Sequence, residues 1–314
     1  MAHGPDGWAG GSPAVGWSWR PEVLLPLSVL LALYGVGWWR LSSRSRSRVP
    51  TWRLVSGFAG IGAVGVALLS PVDRLAEDLF FVHMVQHLLL IKVAAPAVLL
   101  ADPLPVVLWG LPAAARVRAG RLLARRAPLR AAWQALTWTP VAWLAYALTL
   151  WLWHLPAAYE AALTHRLLHD VEHVAFLGAG LLFWWPVIAP APHLRPRGHP
   201  GARIVYLVLA SFQEAGLGLL LTVVPWVVYP SYALAPRVLA LSAQQDQTWG
   251  GLVMWGAGGA IDMLVVLALL FRLLGREERQ PLCQRPEEQA QVSGPEERRP
   301  RTDRPPDGKP SPGF

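Results

Sequence analysis

Cysteine is almost absent from this chain of 314 residues, whose only example is Cys283. A single thiol excludes a disulfide within the chain and a metal site built on paired thiolates, so any metal centre must use histidine, methionine or carboxylate ligands. Charge is also scarce, at 15% of residues. Residues 1–22 lack an apolar stretch preceded by basic residues, and we therefore expect no cleavable signal peptide there.

Apolar residues are abundant where charge is scarce. Hydrophobic residues make up 54% of the chain, which also has 17 tryptophans. Several apolar runs approach the roughly 20 residues that an α-helix needs to cross a bilayer. Because these runs are continuous rather than alternating, and because backbone groups in lipid must be bonded internally, we predict an all-α, polytopic membrane helix bundle with about seven transmembrane helices. The predicted spans are residues 23–39, 52–70, 79–101, 134–153, 168–189, 204–228 and 250–274.

The predicted domain organisation follows from composition and charge. Residues 1–22 are expected to form an extracytoplasmic segment, 23–275 the seven-helix transmembrane domain, and 276–314 a disordered cytoplasmic tail rich in Pro, Glu and Arg. If the predicted helices cross the membrane in turn, 23 of the 28 Lys and Arg residues lie on the same side of it. Loops rich in basic residues stay in the cytoplasm, so the N-terminus is predicted outside and the C-terminus inside. Anionic membrane lipid accounts for the net charge of +8, and no nucleic acid partner is expected.

Six of the nine histidines lie at the predicted outer end of the bundle. His83 with His87, and His169 with His173, form two HxxxH pairs. A spacing of four residues places two imidazoles on one helix face, about 6 Å apart along the axis, which suits two ligands of one ion. Since imidazole is a preferred ligand of transition metals, these four residues are the predicted metal centre. Further candidate ligands at this end are His154, His165, Met84 and Met254.

Residues 165–173 carry two further hypotheses. A regular helix would place His165 about 12 Å from His173 along the axis, too far for both to bind one metal ion. If Thr164 caps the helix, His165 lies in a loop and is free to turn inward or to serve an entry site. The string His169-Asp-Val-Glu-His173 also matches the H-x-x-E-H pattern of inverted zinc proteases. Its leucine-rich transmembrane flanks are the wrong setting for a peptidase cleft. Glu172 is instead expected to orient a ligand histidine of a neighbouring helix.

Four charged residues fall within or beside the apolar spans. Lys92 and Asp262 lie at similar predicted depth in the third and seventh spans, and they are expected to pair if these helices are adjacent. Glu214 lies in the sixth span and Asp246 just before the seventh. We interpret the four side chains as a stabilising network, with a polar transport route as the alternative.

Six short motifs follow one another along residues 80–255. They are His83-Met-Val-Gln-His87-Leu-Leu-Leu with Pro96, Trp153-His154-Leu-Pro156 with Tyr159, His169-Asp-Val-Glu-His173, Phe183-Trp-Trp-Pro186, Tyr229-Pro-Ser-Tyr232, and Asp246-Gln247 followed by Gly250-Gly251-Leu-Val-Met254-Trp255. In this order they resemble the CtaG family of multi-spanning bacterial cytochrome c oxidase assembly factors, the type associated with caa-type oxidases. The resemblance implies a multi-pass protein of the bacterial plasma membrane that is not an enzyme. It also implies that the protein matures a haem–copper oxidase by binding or delivering copper on the outer side, with the oxidase subunits as partners.

Three other functions stay open at this point. The first is a metal-free scaffold for oxidase assembly. The second is a haem b protein, in which His83 or His87 would face His169 or His173 across the haem iron as axial ligands. The third is a transporter, which would depend on the buried charges rather than on the histidines, although the two halves of the chain show no evident internal repeat.

Overall fold

The computed structural model describes residues 16–44, 50–124, 127–196 and 198–277. The predictions for residues 1–15 and 278–314, which include most of the N-terminal segment, His3, Cys283 and nearly all of the tail, lie outside the described residues. The helices are α1 (Pro21–Arg44), α2 (Thr51–Leu69), α3 (Pro71–Asp78), α4 (Phe80–Leu88), α5 (Ala95–Leu100), α6 (Pro103–Gly110), α7 (Ala113–Leu122), α8 (Pro128–Leu136), α9 (Thr139–Trp153), α10 (Pro156–Thr164), α11 (Arg166–Ile188), α12 (Pro200–Val223), α13 (Pro230–Leu234), α14 (Ala243–Leu252) and α15 (Gly259–Glu277). Two π-helical segments, Leu89–Ala94 and Val253–Gly258, join α4 to α5 and α14 to α15.

The prediction of an all-helical bundle with about seven spans is confirmed. Among the described residues, six helical stretches can cross a membrane by length and composition, namely Pro21–Ser43, Thr51–Leu69, Phe80–Leu100, Arg166–Ile188, Pro200–Val223 and Ala243–Gly275. The bent pair α8 and α9 supplies a seventh if it counts as one span. The chain divides into one unit that ends at Leu269 and a second that starts at Leu270, and the site lies in the first. The sidedness of the termini stays a prediction.

Two predicted spans differ from the structure for local reasons. The fourth was expected as one helix over 134–153, but it bends by 68° between α8 and α9. Pro140 in the first turn of α9 has no N–H to continue the preceding helix. The sixth was expected to reach residue 228, but α12 ends at Val223. Val224 then precedes Pro225, and the residue before a proline is disfavoured in helical geometry.

The π-helical segments lie in the third and seventh spans and were not predicted. The first ends just before Pro96, which sits in the first turn of α5. Since proline cannot donate to the carbonyl four residues earlier and its ring crowds that carbonyl, the backbone widens at Lys92. In the seventh span the widening follows Gly250 and Gly251. A Cβ atom on Gly251 would lie 2.5 Å from the carbonyl oxygen of Gly218, so Gly251 permits close approach to α12.

The apolar core locks the third span against the fifth, and so it positions both HxxxH pairs. The indole nitrogen of Trp184 on α11 donates to the carbonyl of Ile91 at 2.9 Å. A Cβ atom on Gly180 would lie 3.1 Å from the Cα of Ile91, which shows how closely the two backbones pass. Phe176 and Phe183 are fully buried beside this crossing. The relative rotation of α4 and α11 is therefore determined by packing one to three turns away from the histidines.

Candidate metal centre

Helices α4 and α11 bring the two predicted HxxxH pairs together. The ring centroids are 4.4 Å apart for His83 and His87, and 4.2 Å apart for His169 and His173. Between the helices, the centroids of His83 and His169 are 5.1 Å apart, and those of His87 and His173 are 5.7 Å apart. Glu172 lies between the pairs and is completely buried. We call these five residues the histidine cluster.

The polar atoms of the histidine cluster are buried without protein partners. Among the residues that the structure describes, no hydrogen bond reaches Nε2 of His83 or His169, either nitrogen of His87 or His173, or either carboxylate oxygen of Glu172. The carboxylate oxygens approach His87 Nε2 at 3.7 Å and His83 Nε2 at 3.9 Å, which is too long for hydrogen bonds. Each unpaired buried polar group costs about 1–3 kcal/mol. These imidazole nitrogens and carboxylate oxygens have the donor chemistry of ligands for a transition-metal ion.

Two tyrosines orient His83. Its Nδ1 lies 2.9 Å from both Tyr159 Oη and Tyr232 Oη, which are 3.1 Å from each other. Burial raises the pKa of both phenols well above the ordinary value, so each keeps its proton. Tyr232 donates that proton to the carbonyl of Ala76 at 3.0 Å. All contacts are satisfied only if Tyr159 donates to Tyr232 and His83 Nδ1–H donates to the phenol oxygens. Nε2 of His83 then carries a lone pair that faces the cluster, as in a metal ligand.

The donor atoms of the cluster fall into two overlapping triads. Within each triad, one donor atom from every residue lies within 4.8 Å of the others. The imidazole triad consists of His83, His169 and His173. The carboxylate triad consists of His83, His87 and Glu172. The sequence predicted one set of four histidines with Glu172 outside it, whereas the structure places Glu172 among the donors.

The remaining predicted ligands have different surroundings. Nδ1 of His154 donates to the carbonyl of Leu150 at 2.7 Å, and its Nε2 faces Met84 Sδ at 3.5 Å. His154 therefore lies beside the cluster, with its ring centroid 6.3 Å from that of His87. His165 lies in extended geometry between α10 and α11, and it is exposed. Thr164 does not cap α11, because its hydroxyl donates to the carbonyls of Glu160 and Ala161.

The role of Met254 as a thioether ligand stays a prediction. Met254 is buried in the second π-helical segment, where its Cβ packs close to Gly218 of α12. The recorded contact between a thioether and an imidazole belongs to Met84 and His154. The sequence could not rank the two methionines, because both lie in apolar helices at the same end of the bundle.

The buried charges form a separate cluster, as expected for Lys92 and Asp262. Lys92 Nζ lies 2.8 Å from Asp262 Oδ2 and 2.9 Å from Glu214 Oε2. We call these three residues the ion-pair cluster. Asp246 does not join it. Its carboxylate instead accepts the N–H groups of Phe80 and Phe81 at 2.8 and 2.9 Å, so it caps α4 from α14, and the prediction that four charges form one network is wrong in this respect.

A polar layer next to the histidine cluster was missed by sequence reasoning. Arg20 is buried and contacts Asp170, which follows His169 on α11, and its guanidinium lies 3.7 Å from Asp73. Asp73 also accepts a hydrogen bond from Gln86 at 2.9 Å. Burial raises the pKa of Asp73 in spite of these partners. The only sequence signal for this layer is that Arg20 precedes the first span, which does not indicate a partner.

The fold and the site together define a polytopic membrane protein whose bundle encloses a histidine–carboxylate cluster. The chain belongs to the Caa3_CtaG family, the cytochrome c oxidase caa3 assembly factors, whose family model matches residues 32–276. It is 25% identical over 271 residues to the uncharacterized proteins Mb0105 of Mycobacterium bovis and MT0111 of Mycobacterium tuberculosis. It is 24% identical over 290 residues to the uncharacterized protein ML1998 of Mycobacterium leprae.

The relatives are longer than this chain. Each match covers 83% of this chain and 40% of the relative, so the chain spans about two fifths of the length of the curated relatives it matches. No solved structure matches the chain. The family membership confirms the resemblance found in the sequence motifs.

Proposed function

We propose that this protein binds copper in the histidine cluster and delivers it to a haem–copper oxidase during assembly. The observation that carries the proposal is the set of buried, unpartnered imidazole nitrogens and carboxylate oxygens on α4 and α11. The family description supports the oxidase as the recipient. The proposal includes the bacterial plasma membrane as the location, and oxidase subunits and membrane lipid as the partners.

The donor chemistry suits a carrier. Imidazole ligands accept copper and other late transition metals, while a carboxylate adds negative charge for a divalent ion. The cluster contains no thiolate, and a site without thiolates exchanges copper more readily with a partner than a closed thiolate site does. His169 is half-buried whereas His83 and Glu172 are fully buried. The metal therefore enters and leaves most directly past His169.

Elemental analysis of the detergent-purified protein tests the proposal. The wild type is compared with a variant in which His83, His87, His169 and His173 are all alanine, and with His165→Ala as the matched control for an exposed histidine. About one copper per chain is expected for the wild type and the control, and none for the fourfold variant. Circular dichroism verifies that the fourfold variant is folded.

Other results would select another function. No copper in the folded wild type after loading under both oxidising and reducing conditions would contradict the proposal and favour a metal-free assembly scaffold. A Soret band in the absorbance spectrum would instead show haem b between the histidines. Normal oxidase assembly in cells that carry only the fourfold variant would show that copper in the histidine cluster is not needed for assembly, and it would contradict the proposed delivery.

A further inference from the structure

The two triads of the histidine cluster share one residue. His83 belongs to both, and its Nδ1 is engaged by Tyr159 and Tyr232 at 2.9 Å. Only Nε2 of His83 remains for a metal. A neutral imidazole nitrogen has one lone pair and binds one ion. The imidazole triad and the carboxylate triad therefore cannot both be complete around separate ions at the same time.

The triads differ in charge. His83, His169 and His173 form a neutral donor set, whereas the set of His83, His87 and Glu172 includes a carboxylate. Glu172 is fully buried and has no hydrogen bond among the described residues. In an interior of low dielectric constant, the stabilisation of an ion depends steeply on how well the ligands balance its charge. The carboxylate triad thus favours a divalent ion, whereas a monovalent ion needs no anionic ligand.

The triads also differ in how deeply their residues are buried, and therefore in how easily a metal ion reaches them. His169 is half-buried and lies on the same turn as Asp170, which contacts Arg20. His87 and Glu172 are buried, and the ring of His87 packs 4.2 Å from that of Phe176. The imidazole triad is therefore the position nearer the surface of the bundle, and the carboxylate triad is the enclosed one.

We propose that the histidine cluster offers copper two alternative positions that pivot on Nε2 of His83, and that the charge of the ion selects between them. Cu(I) occupies the imidazole triad and Cu(II) occupies the carboxylate triad. One ion is present at a time, and no electron transfer is part of the proposal. This inference rests on the proposed copper-binding function and adds to it which residues hold which oxidation state.

A crossed titration tests the assignment of ligands. His169→Ala and Glu172→Gln are each titrated with Cu(I) against a chromophoric chelator without oxygen, and with Cu(II) in air. Loss of a residue that only supports a metal ligand already weakens metal binding by about tenfold or more. Loss of a direct ligand should weaken binding at least as much. We expect His169→Ala to weaken only Cu(I) and Glu172→Gln to weaken only Cu(II). The electron paramagnetic resonance spectrum of bound Cu(II) should change in Glu172→Gln and not in His169→Ala.

A measurement on the wild type alone tests the shared ligand. Protein loaded with Cu(I) is titrated with Zn(II), which is a divalent ion without redox chemistry, and both metals are counted. We expect the sum to stay at one ion per chain, with zinc displacing Cu(I). Two ions bound together would overturn the pivot on His83, whatever the variants show.

Controls separate the possible failures. His83→Ala should lose both oxidation states, and His165→Ala should lose neither, because its side chain is exposed outside both triads. If His169→Ala and Glu172→Gln weaken both ions to the same extent, the cluster is one joint site and the two-position proposal is wrong, while copper binding itself stands. If the wild type binds neither ion, the proposed function fails first.

Discussion

The ion-pair cluster and the histidine cluster are both buried in the bundle, but they differ in whether their polar groups are paired. In the ion-pair cluster, Lys92 contacts both carboxylates within 2.9 Å. The hydroxyls of Tyr146 and Ser211 donate to Glu214 and Asp262 at 2.9 and 2.8 Å. In the histidine cluster, by contrast, eight nitrogen and oxygen atoms have no hydrogen bond among the described residues.

The difference supports the proposed division of roles, in which the ion-pair cluster stabilises the fold and the histidine cluster binds a metal ion. Buried charges are tolerated in a membrane when they pair with one another, as in the ion-pair cluster. Such a network needs no further partner. Unpaired buried groups lower stability, and the proposed copper ion would pair those of the histidine cluster.

The largest expected effect on stability comes from Lys92→Met. It leaves the carboxylates of Glu214 and Asp262 buried beside each other, and removal of one partner from a buried ion pair costs about 3–5 kcal/mol. The melting temperature in detergent, measured by circular dichroism, should fall sharply. Adding Glu214→Gln and Asp262→Asn to this variant should restore most of the loss. A melting temperature unchanged by Lys92→Met would contradict a stabilising role for the ion-pair cluster and would favour a role in ligand binding instead.

His87→Leu should instead weaken copper binding and leave the stability of the metal-free protein nearly unchanged. Leucine has a similar volume and removes two unpartnered nitrogens, so the free energy of unfolding without metal should stay within about 1 kcal/mol of the wild type. Cu(II) binding should weaken by about 100-fold or more, which corresponds to about 3 kcal/mol. Isothermal titration and thermal unfolding of the metal-free protein check both parts. A severe loss of stability with copper binding retained would make the histidines structural.

Tyr232→Phe is expected to have an intermediate effect. It removes one acceptor that holds Nδ1–H of His83, and loss of such an orienting contact lowers metal affinity by about tenfold. Tyr229→Phe is the matched control, because Tyr229 donates to the carbonyl of His154 and not to His83. Competition with a copper chelator measures both variants. Equal affinities in the two variants would show that Tyr232 does not position His83.

The smallest expected effect is that of Asp246→Asn. The amide oxygen still accepts one of the two N–H groups at the start of α4, so the loss is that of one cap, about 1 kcal/mol. The melting temperature should fall slightly while copper affinity stays at the wild-type value. A large loss of copper binding would show that the start of α4 controls the geometry of the histidine cluster.

The sequence by itself determined the class of protein, the approximate spans, the family and the two HxxxH pairs. These features depend on local patterns, namely runs of apolar residues and a spacing of four residues on a helix face. The pairing of Lys92 with Asp262 was also predictable, because depth in a membrane can be counted along each helix. The same counting predicted that Asp246 joins the polar network, but in the structure Asp246 caps α4 instead.

Tertiary packing alone decided the rest. The rotation of α11 against α4, determined where Gly180 passes Ile91, directs Glu172 between the histidines and not toward lipid. The fold also carries Tyr159 and Tyr232 to one nitrogen of His83 across more than 70 residues of chain. Which faces of separate helices meet depends on how all side chains between them fill space. No local pattern in one helix contains that information.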